Sequence, residues 1–321
     1  MIKSAINKIL GHLGYRIVRL QKNDVVESSS VTQRVTVQAD YSDQLAREPL
    51  NPDLHFKFGL QCFEQHKYSL AFAELKTASF VGKGNVDVEA YVNRVLPLLP
   101  KVDEMDHNKF FRLQTLASAI LQTSNGNEIS ILDVGGGQGE LAQFFPQMSY
   151  CLAEPTVNGI SGINLPFPER SFDVVTACHV LEHVAIRDRE QFLDQLLSKA
   201  KKALLLLNPF FIEGTSVEER LKLFIDVTDA GWAKEHLKYT LPSLGFIEDY
   251  AKKRKLKITV QPNGTLTTSI AMVFVNYFGQ KTGDIQALTK INSFLNTKYG
   301  EILNSKESPN AYLICFEVPG Q

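Results

Sequence analysis

The spacing of apolar and polar positions divides the chain into a helical first third and, after it, an alternation of short strands with helices. In residues 1–20, Ile2, Ile6, Ile9, Leu10, Leu13 and Ile17 share one helical face, with Lys3, Lys8, Arg16 and Arg19 mostly elsewhere. Residues 21–50 are polar and short of large apolar groups, which predicts a linker. Helical spacing returns over residues 51–100, with bulk from Phe56, Phe58, Leu60, Phe63, Tyr68, Leu70 and Phe72 and a glycine-marked end at Gly82 and Gly84. An amphipathic helix is predicted over 110–121. Apolar clusters at 129–134, 150–154, 172–177 and 203–208 then predict buried strands, with a helix over 189–201 between the last two. Late strands are expected over 256–260 and 312–318, with helices over 265–278 and 285–299. Residues 210–255 sit between strands and carry Trp232 and His236, which is read as a lid inserted into the sheet; Trp232 as a core anchor with His236 at the surface is the alternative.

Composition narrows the class. A chain of 321 residues that is 44% hydrophobic can bury a full core, and at roughly 100–200 residues per domain it predicts two domains. A formal net charge of -1 gives no reason to expect nucleic acid as a partner. Cys62, Cys151, Cys178 and Cys315 are too scattered for a disulfide framework or a metal site, which fits a reducing cytoplasm. No apolar run approaches the ~20 residues that cross a bilayer. The basic stripe of residues 1–20 suits peripheral contact with an anionic membrane, a protein partner, or packing on its own chain, the commoner use of such a stripe. In the next helices Gly59, Ala71, Leu75 and Ala78 fall as in a tetratricopeptide pair, which the segment resembles over one repeat. Such units need neighbours to bury their faces, so a recognition module and an ordinary hairpin packed on the next domain both stand.

The chemistry concentrates in Ile131–Phe145. An apolar strand runs into Gly135, Gly136, Gly137, Gln138 and Gly139, and Glu140 resumes helical spacing. A glycine turn lets the backbone approach a ligand and leaves the N–H groups of the next helix facing it, which favours an anion or carboxylate. A valine at Gly135 is expected to fill that space; a purely structural tight turn is the alternative. Glu154 closes the second apolar run about 20 residues past the first strand, the distance at which an acid accepts hydrogen bonds from both ribose hydroxyls. His179 and His183 lie four apart on an expected helix after the next strand.

Together these residues resemble a class I S-adenosylmethionine-dependent methyltransferase. Asp133, Gly135, Gly137 and Gly139 match that family's acid and spaced glycines, while Leu165-Pro-Phe-Pro, Phe172-Asp and His179-Val-Leu-Glu-His183 look like the later motifs of its small-molecule subgroup. The resemblance spans residues 129–209. It implies a Rossmann-like α/β fold over 106–321, with S-adenosyl-L-methionine as cofactor. By the same resemblance, Asp133 and Gly135 to Gly139, Gln138 included, would cradle the methionine end, Glu154 the ribose, Asn164 and Leu165 the adenine, and His179 would lie near the sulfonium. One departure stands out: residues 155–164 are too few for a helix and a full strand, so the third strand is expected to be vestigial or replaced by a loop. The expected reaction is methyl transfer, with O-methylation of a small-molecule or glycan acceptor preferred and a cell-envelope sugar favoured among those. His236 ranks ahead of His183 as base, and His179 as a wall of the cofactor site. A non-catalytic scaffold and a protein or RNA methyltransferase are the competing readings.

Overall fold

The computed structural model describes residues 41–84, 86–211, 217–238, 240–298 and 308–319. The helix expected over 1–20, most of the predicted linker and the side chain of Trp232 lie outside them. Six strands form one sheet: β1 (Ser130–Val134), β2 (Ser149–Ala153), β3 (Phe172–Cys178), β4 (Ala200–Asn208), β5 (Lys257–Asn263) and β6 (Ala311–Glu317), in the order β2-β1-β3-β4-β6-β5. The first four are parallel, and β6 runs antiparallel to both β4 and β5. Alternate residues feed opposite faces: Ile131, Tyr150, Leu152, Val174 and Leu205 enter one core, Leu132, Val134, Cys151, Ala153, Val175 and Leu204 the other. This is the mostly parallel α/β sheet that the apolar clusters predict.

The first core is closed by helices that precede the sheet in sequence. They are α2 (Pro52–Glu64), α3 (Tyr68–Val81), α4 (Val86–Val95) and α5 (His107–Ser124), with α1 (Tyr41–Arg47) placed beside α2, where Tyr41 meets Phe58. Asn51 caps α2 by accepting from the N–H groups of Asp53 and Leu54, and Pro52 opens it with a preset φ. In α3 the residues from Leu70 to Leu75, with Thr77 and Ala78, are all buried. A helix buried all round must be enclosed by the fold, and α3 shares its core with β1 and β2. Thr77 Oγ1 accepts from Leu152 N–H at 3.0 Å while Asn158 Nδ2 donates to Leu152 O at 2.9 Å. Side chains thus satisfy the open edge of β2, which would otherwise present unpaired backbone groups. As the short 155–164 segment suggests, the chain runs from β2 to β3 with no strand between them.

The second face carries α6 (Arg189–Lys199) and α9 (Leu244–Lys253), whose Phe192, Leu193, Leu196, Ile247 and Tyr250 pack on the sheet. In the region read as a lid, α7 (Val217–Thr228) and α8 (Gly231–His236) stand near a second insertion, α10 (Leu266–Thr282) and α11 (Ile285–Lys298). Phe224 of α7 meets Phe274 and Tyr277 of α10 edge-on at 4.9 and 5.5 Å, and the Tyr277 hydroxyl donates to Thr228 O. Among the described residues no helix is long and apolar enough to cross a membrane.

Local structure departs from expectation in three places. Tyr41–Arg47, at the end of the stretch read as linker, form a helix whose Leu45 is fully buried. Glu140–Phe144 form a 3-10 turn instead of an α-helix, and Gln143 within it donates from Nε2 to Ser69 Oγ of α3 at 2.7 Å. His179 and His183 do not share a helix. His179 takes a left-handed φ of 57° with its N–H bonded to Leu207 O at 2.7 Å, and only Leu181–His183 coil, as a 3-10 turn.

Candidate active site

Strand order reverses between β1 and β3, so the loops leaving their carboxyl ends diverge and open a crevice, where open α/β sheets bind ligands. The glycine turn leaves β1 there and the His179–His183 turn leaves β3. They touch: a Cβ added to Gly135, at φ 72°, would overlap Val180 Cγ2. Gly135 is therefore glycine because Val180 lies against it, which corrects the expectation that a side chain there would fill ligand space. Gly136 and Gly139 have their own constraints, since a Cβ at the first would overlap the Asp133 carboxylate and at the second Ala73 Cβ of α3. Only Gly137 is open: it sits at φ 57° and a Cβ there would meet nothing within 4 Å. Gln138, beside it, is exposed.

Glu154 lies directly across from this opening. Gly137 N–H donates to its Oε2 at 3.1 Å, and Thr156 donates to Oε1 through its N–H at 3.1 Å and its hydroxyl at 2.7 Å. Oε1 is thus committed to Thr156, while Oε2 keeps a further lone pair for a ribose hydroxyl. Asp133 is placed differently from the expectation that it faces the cofactor. It is 2% exposed beneath the turn, accepts from the Tyr150 hydroxyl at 2.7 Å, and burial pushes its pKa up to about 7 against the pull of that bond. Its part is to support the turn. Asn164 is exposed on the loop that follows β2, with its N–H on Ser161 O, whereas the Leu165 side chain is 4% exposed inside the second core. Any contact of Leu165 with an adenine would therefore be through backbone.

At the end of β3, His179 is largely enclosed, and burial, with Arg112, His236 and His183 adding to it, holds its pKa well below the usual imidazole range. His183 is exposed, and its ring meets that of His236 at 5.6 Å and 70°. His236 is pushed down from the usual range by burial first, then by His183 and Arg112. The three candidate histidines thus divide into an enclosed one and a contacting pair.

Residues that sequence reasoning passed over complete the crevice. Arg112 of α5 makes no hydrogen bond or ion pair among the described residues, and its charge acts on His179, Glu182, Cys178 and His236. Glu182, 1% exposed, accepts from Asn208 Nδ2, and its Oε1 lies 3.5 Å from His179 Nδ1. Nothing in the spacing of Arg112 or Asn208 marks them, because they reach the crevice from distant elements.

Burial raises the Glu182 pKa from 4.5 to about 7. The folded chain therefore holds a proton that the unfolded chain releases between those values. Stability then falls as pH rises through the window, by about 3 kcal/mol at most for a shift of this size. Glu182→Gln removes the titration. Urea denaturation of both proteins from pH 4.5 to 8 should show the variant gaining on wild type by up to about 3 kcal/mol, and a constant difference would contradict the buried, protonated carboxyl.

S-adenosylmethionine, the cofactor that the resemblance implies, fits these residues. Gly137 leaves the backbone open, Glu154 faces it with an acceptor suited to a ribose hydroxyl, and Arg112 is a cation suited to a carboxylate. A methyltransferase-domain family model matches residues 105–256. No curated protein matches the sequence. Among solved structures the chain is similar to the phosphoethanolamine N-methyltransferase 2 of Haemonchus contortus in complex with phosphomonomethylethanolamine and S-adenosylhomocysteine, at 16% identity over 64% of this chain and 53% of that one, with a TM-score of 0.41. It is also similar to the YcgJ protein of Bacillus subtilis, at 14% identity over 65% of this chain and 99% of that one, with a TM-score of 0.38. The family match carries the assignment: residues 105–256 of the chain match a methyltransferase domain.

Proposed function

We propose that this methyltransferase acts on a hydroxyl of a small-molecule or glycan acceptor, a cell-envelope sugar among them, with His236 as general base. The observation that carries the reading is the pairing of His236 with His183 in the region that faces the crevice. Burial holds the His236 pKa below the usual imidazole range, so the ring is neutral near pH 7, the form in which a histidine acts as a base. Bound cofactor supplies a sulfonium methyl whose departure from sulfur is favourable without further activation. The chain's own contribution is then to hold the partners in line and exclude water. Gly137 and Glu154 would fix the nucleoside end and Arg112 the carboxylate. His236 would take the proton of the acceptor hydroxyl as that oxygen receives the methyl group the cofactor supplies. His179, neutral and enclosed, would line the site without adding charge beside the sulfonium. The lid helices α7 and α8 would cover the acceptor, supported on α10 by Phe224.

A labelled-methyl screen of nucleotide sugars, lipids and peptides tests the acceptor class. With the acceptor found, His236→Asn should lower the rate by about 10²-fold or more, leave cofactor affinity unchanged, and remove the acidic limb of the pH–rate profile. A variant that keeps both rate and limb would exclude His236 and pass the test to His183→Asn.

A further inference from the structure

One buried polar network is not used by the chemistry above, and it joins the N-terminal helices to the cofactor site. His55 of α2, Glu74 of α3 and Asn158 of the loop after β2 are each 0% exposed. His55 Nδ1 lies 2.6 Å from Glu74 Oε2, and Nε2 lies 2.9 Å from Pro49 O. A carbonyl only accepts, so Nε2 carries a hydrogen, and the Nδ1–Oε2 contact then holds one proton shared between His55 and Glu74. The other Glu74 oxygen accepts from Asn158 Nδ2 at 2.9 Å. Asn158 also donates to Leu152 O, and its Oδ1 accepts the Glu154 N–H at 3.0 Å and the Ile160 N–H at 3.4 Å. Both amide hydrogens and the amide oxygen are therefore committed, and Glu74 selects their orientation.

A buried pair of this kind is weak evidence for stability, because an apolar pair of similar volume often serves as well. The surrounding contacts point to placement instead. Ala73, next to Glu74 on α3, lies against Gly139 of the glycine turn, while Ala46 of α1 lies against Gly159, next to Asn158, where a Cβ would come within 2.6 Å of Ala46 Cβ. Neighbouring residues of one helix thus grip the glycine turn and the Glu154 loop. The Gly137 N–H to Glu154 bond spans these two loops.

We propose that Glu74, oriented by His55, is a positioning residue of the cofactor site: through Asn158 it fixes the Glu154 turn so that the carboxylate stands opposite Gly137. The helices before residue 105 thereby become part of the site. The inference rests on the reading that Glu154 holds the cofactor's ribose.

The test titrates S-adenosylmethionine into the full chain and into Glu74→Ala, Glu74→Gln, Glu154→Ala and the Glu74→Ala/Glu154→Ala double variant, with thermal melting in parallel. Glu74→Ala should weaken binding about tenfold or more, as loss of a charge-assisted hydrogen bond does. Glu74→Gln, which can accept from Asn158 and donate to His55, should bind within about threefold of wild type. In the Glu154→Ala background Glu74→Ala should cost nothing further, because its effect passes through Glu154. A lowered melting temperature with unchanged affinity, or an equal loss in both backgrounds, would overturn the positioning role while leaving Glu154 in place. Wild-type binding that Glu154→Ala leaves intact would overturn the ribose reading, and this inference with it. Should Glu74→Ala fail to fold, Asn158→Ser breaks the same link from the other end and is held to the same outcomes.

Discussion

Replacing Gly137 with valine will abolish measurable binding of S-adenosylmethionine while leaving the protein folded. Gly137 is the one position in the turn where a side chain meets empty space, and that space lies beside Glu154. A valine there would occupy the room that the nucleoside needs. It would also suffer at φ 57°, where a β-branched residue is strained by about 1–2 kcal/mol. The loss of stability is therefore modest and the loss of affinity complete. Calorimetric titration and urea denaturation, run side by side, separate the two. Retained affinity in a folded variant would place the cofactor elsewhere.

Gly139→Val should behave in the opposite way, with stability lost first. Its Cβ would overlap Ala73 Cβ and come within 3.7 Å of Leu152 Cδ2, so the substitution drives a wedge between α3 and the sheet. Left-handed strain of about 1–2 kcal/mol adds to an overpacking cost of about 1–3 kcal/mol, for a total of about 2–5 kcal/mol. Because α3 shares its core with β1 and β2, the loss should appear as one cooperative transition at lower urea, by circular dichroism. A separate early transition of the helices would show that they fold independently of the sheet.

The sheet and the turn were legible in the sequence because they are local. Apolar clusters at β1, β2, β3 and β4, a glycine run and an acid at the right distance need no knowledge of the rest of the chain. The short 155–164 segment likewise announced a missing strand. What replaced that strand was not legible. Thr77 and Asn158 close the edge of β2 from opposite directions in the sequence, and the helix expected after Glu140 gives way to a 3-10 turn bonded to α3, a contact that no periodicity reports. The same limit explains the glycines. Their spacing suggested ligand room throughout, yet Gly135 yields to Val180, Gly136 to Asp133 and Gly139 to Ala73, leaving Gly137 for the ligand. The helix expected across His179–His183 failed for a backbone reason: a hydrogen bond from His179 N–H to Leu207 O and a positive φ hold the chain in a turn, which sends His183 out to meet His236. Arg112, Glu74 and His55 carry no motif at all. They became visible only when distant elements were brought together.

The central claim is that the open space beside Gly137 and Glu154 holds S-adenosylmethionine. Isothermal titration of the full chain with that cofactor tests it most directly. One molecule should bind per chain at micromolar affinity, weakened by about 1.5–3 kcal/mol in Glu154→Ala, the usual worth of a hydrogen bond to a charged group. Absence of binding heat at millimolar cofactor, or equal affinity in the two proteins, would contradict it.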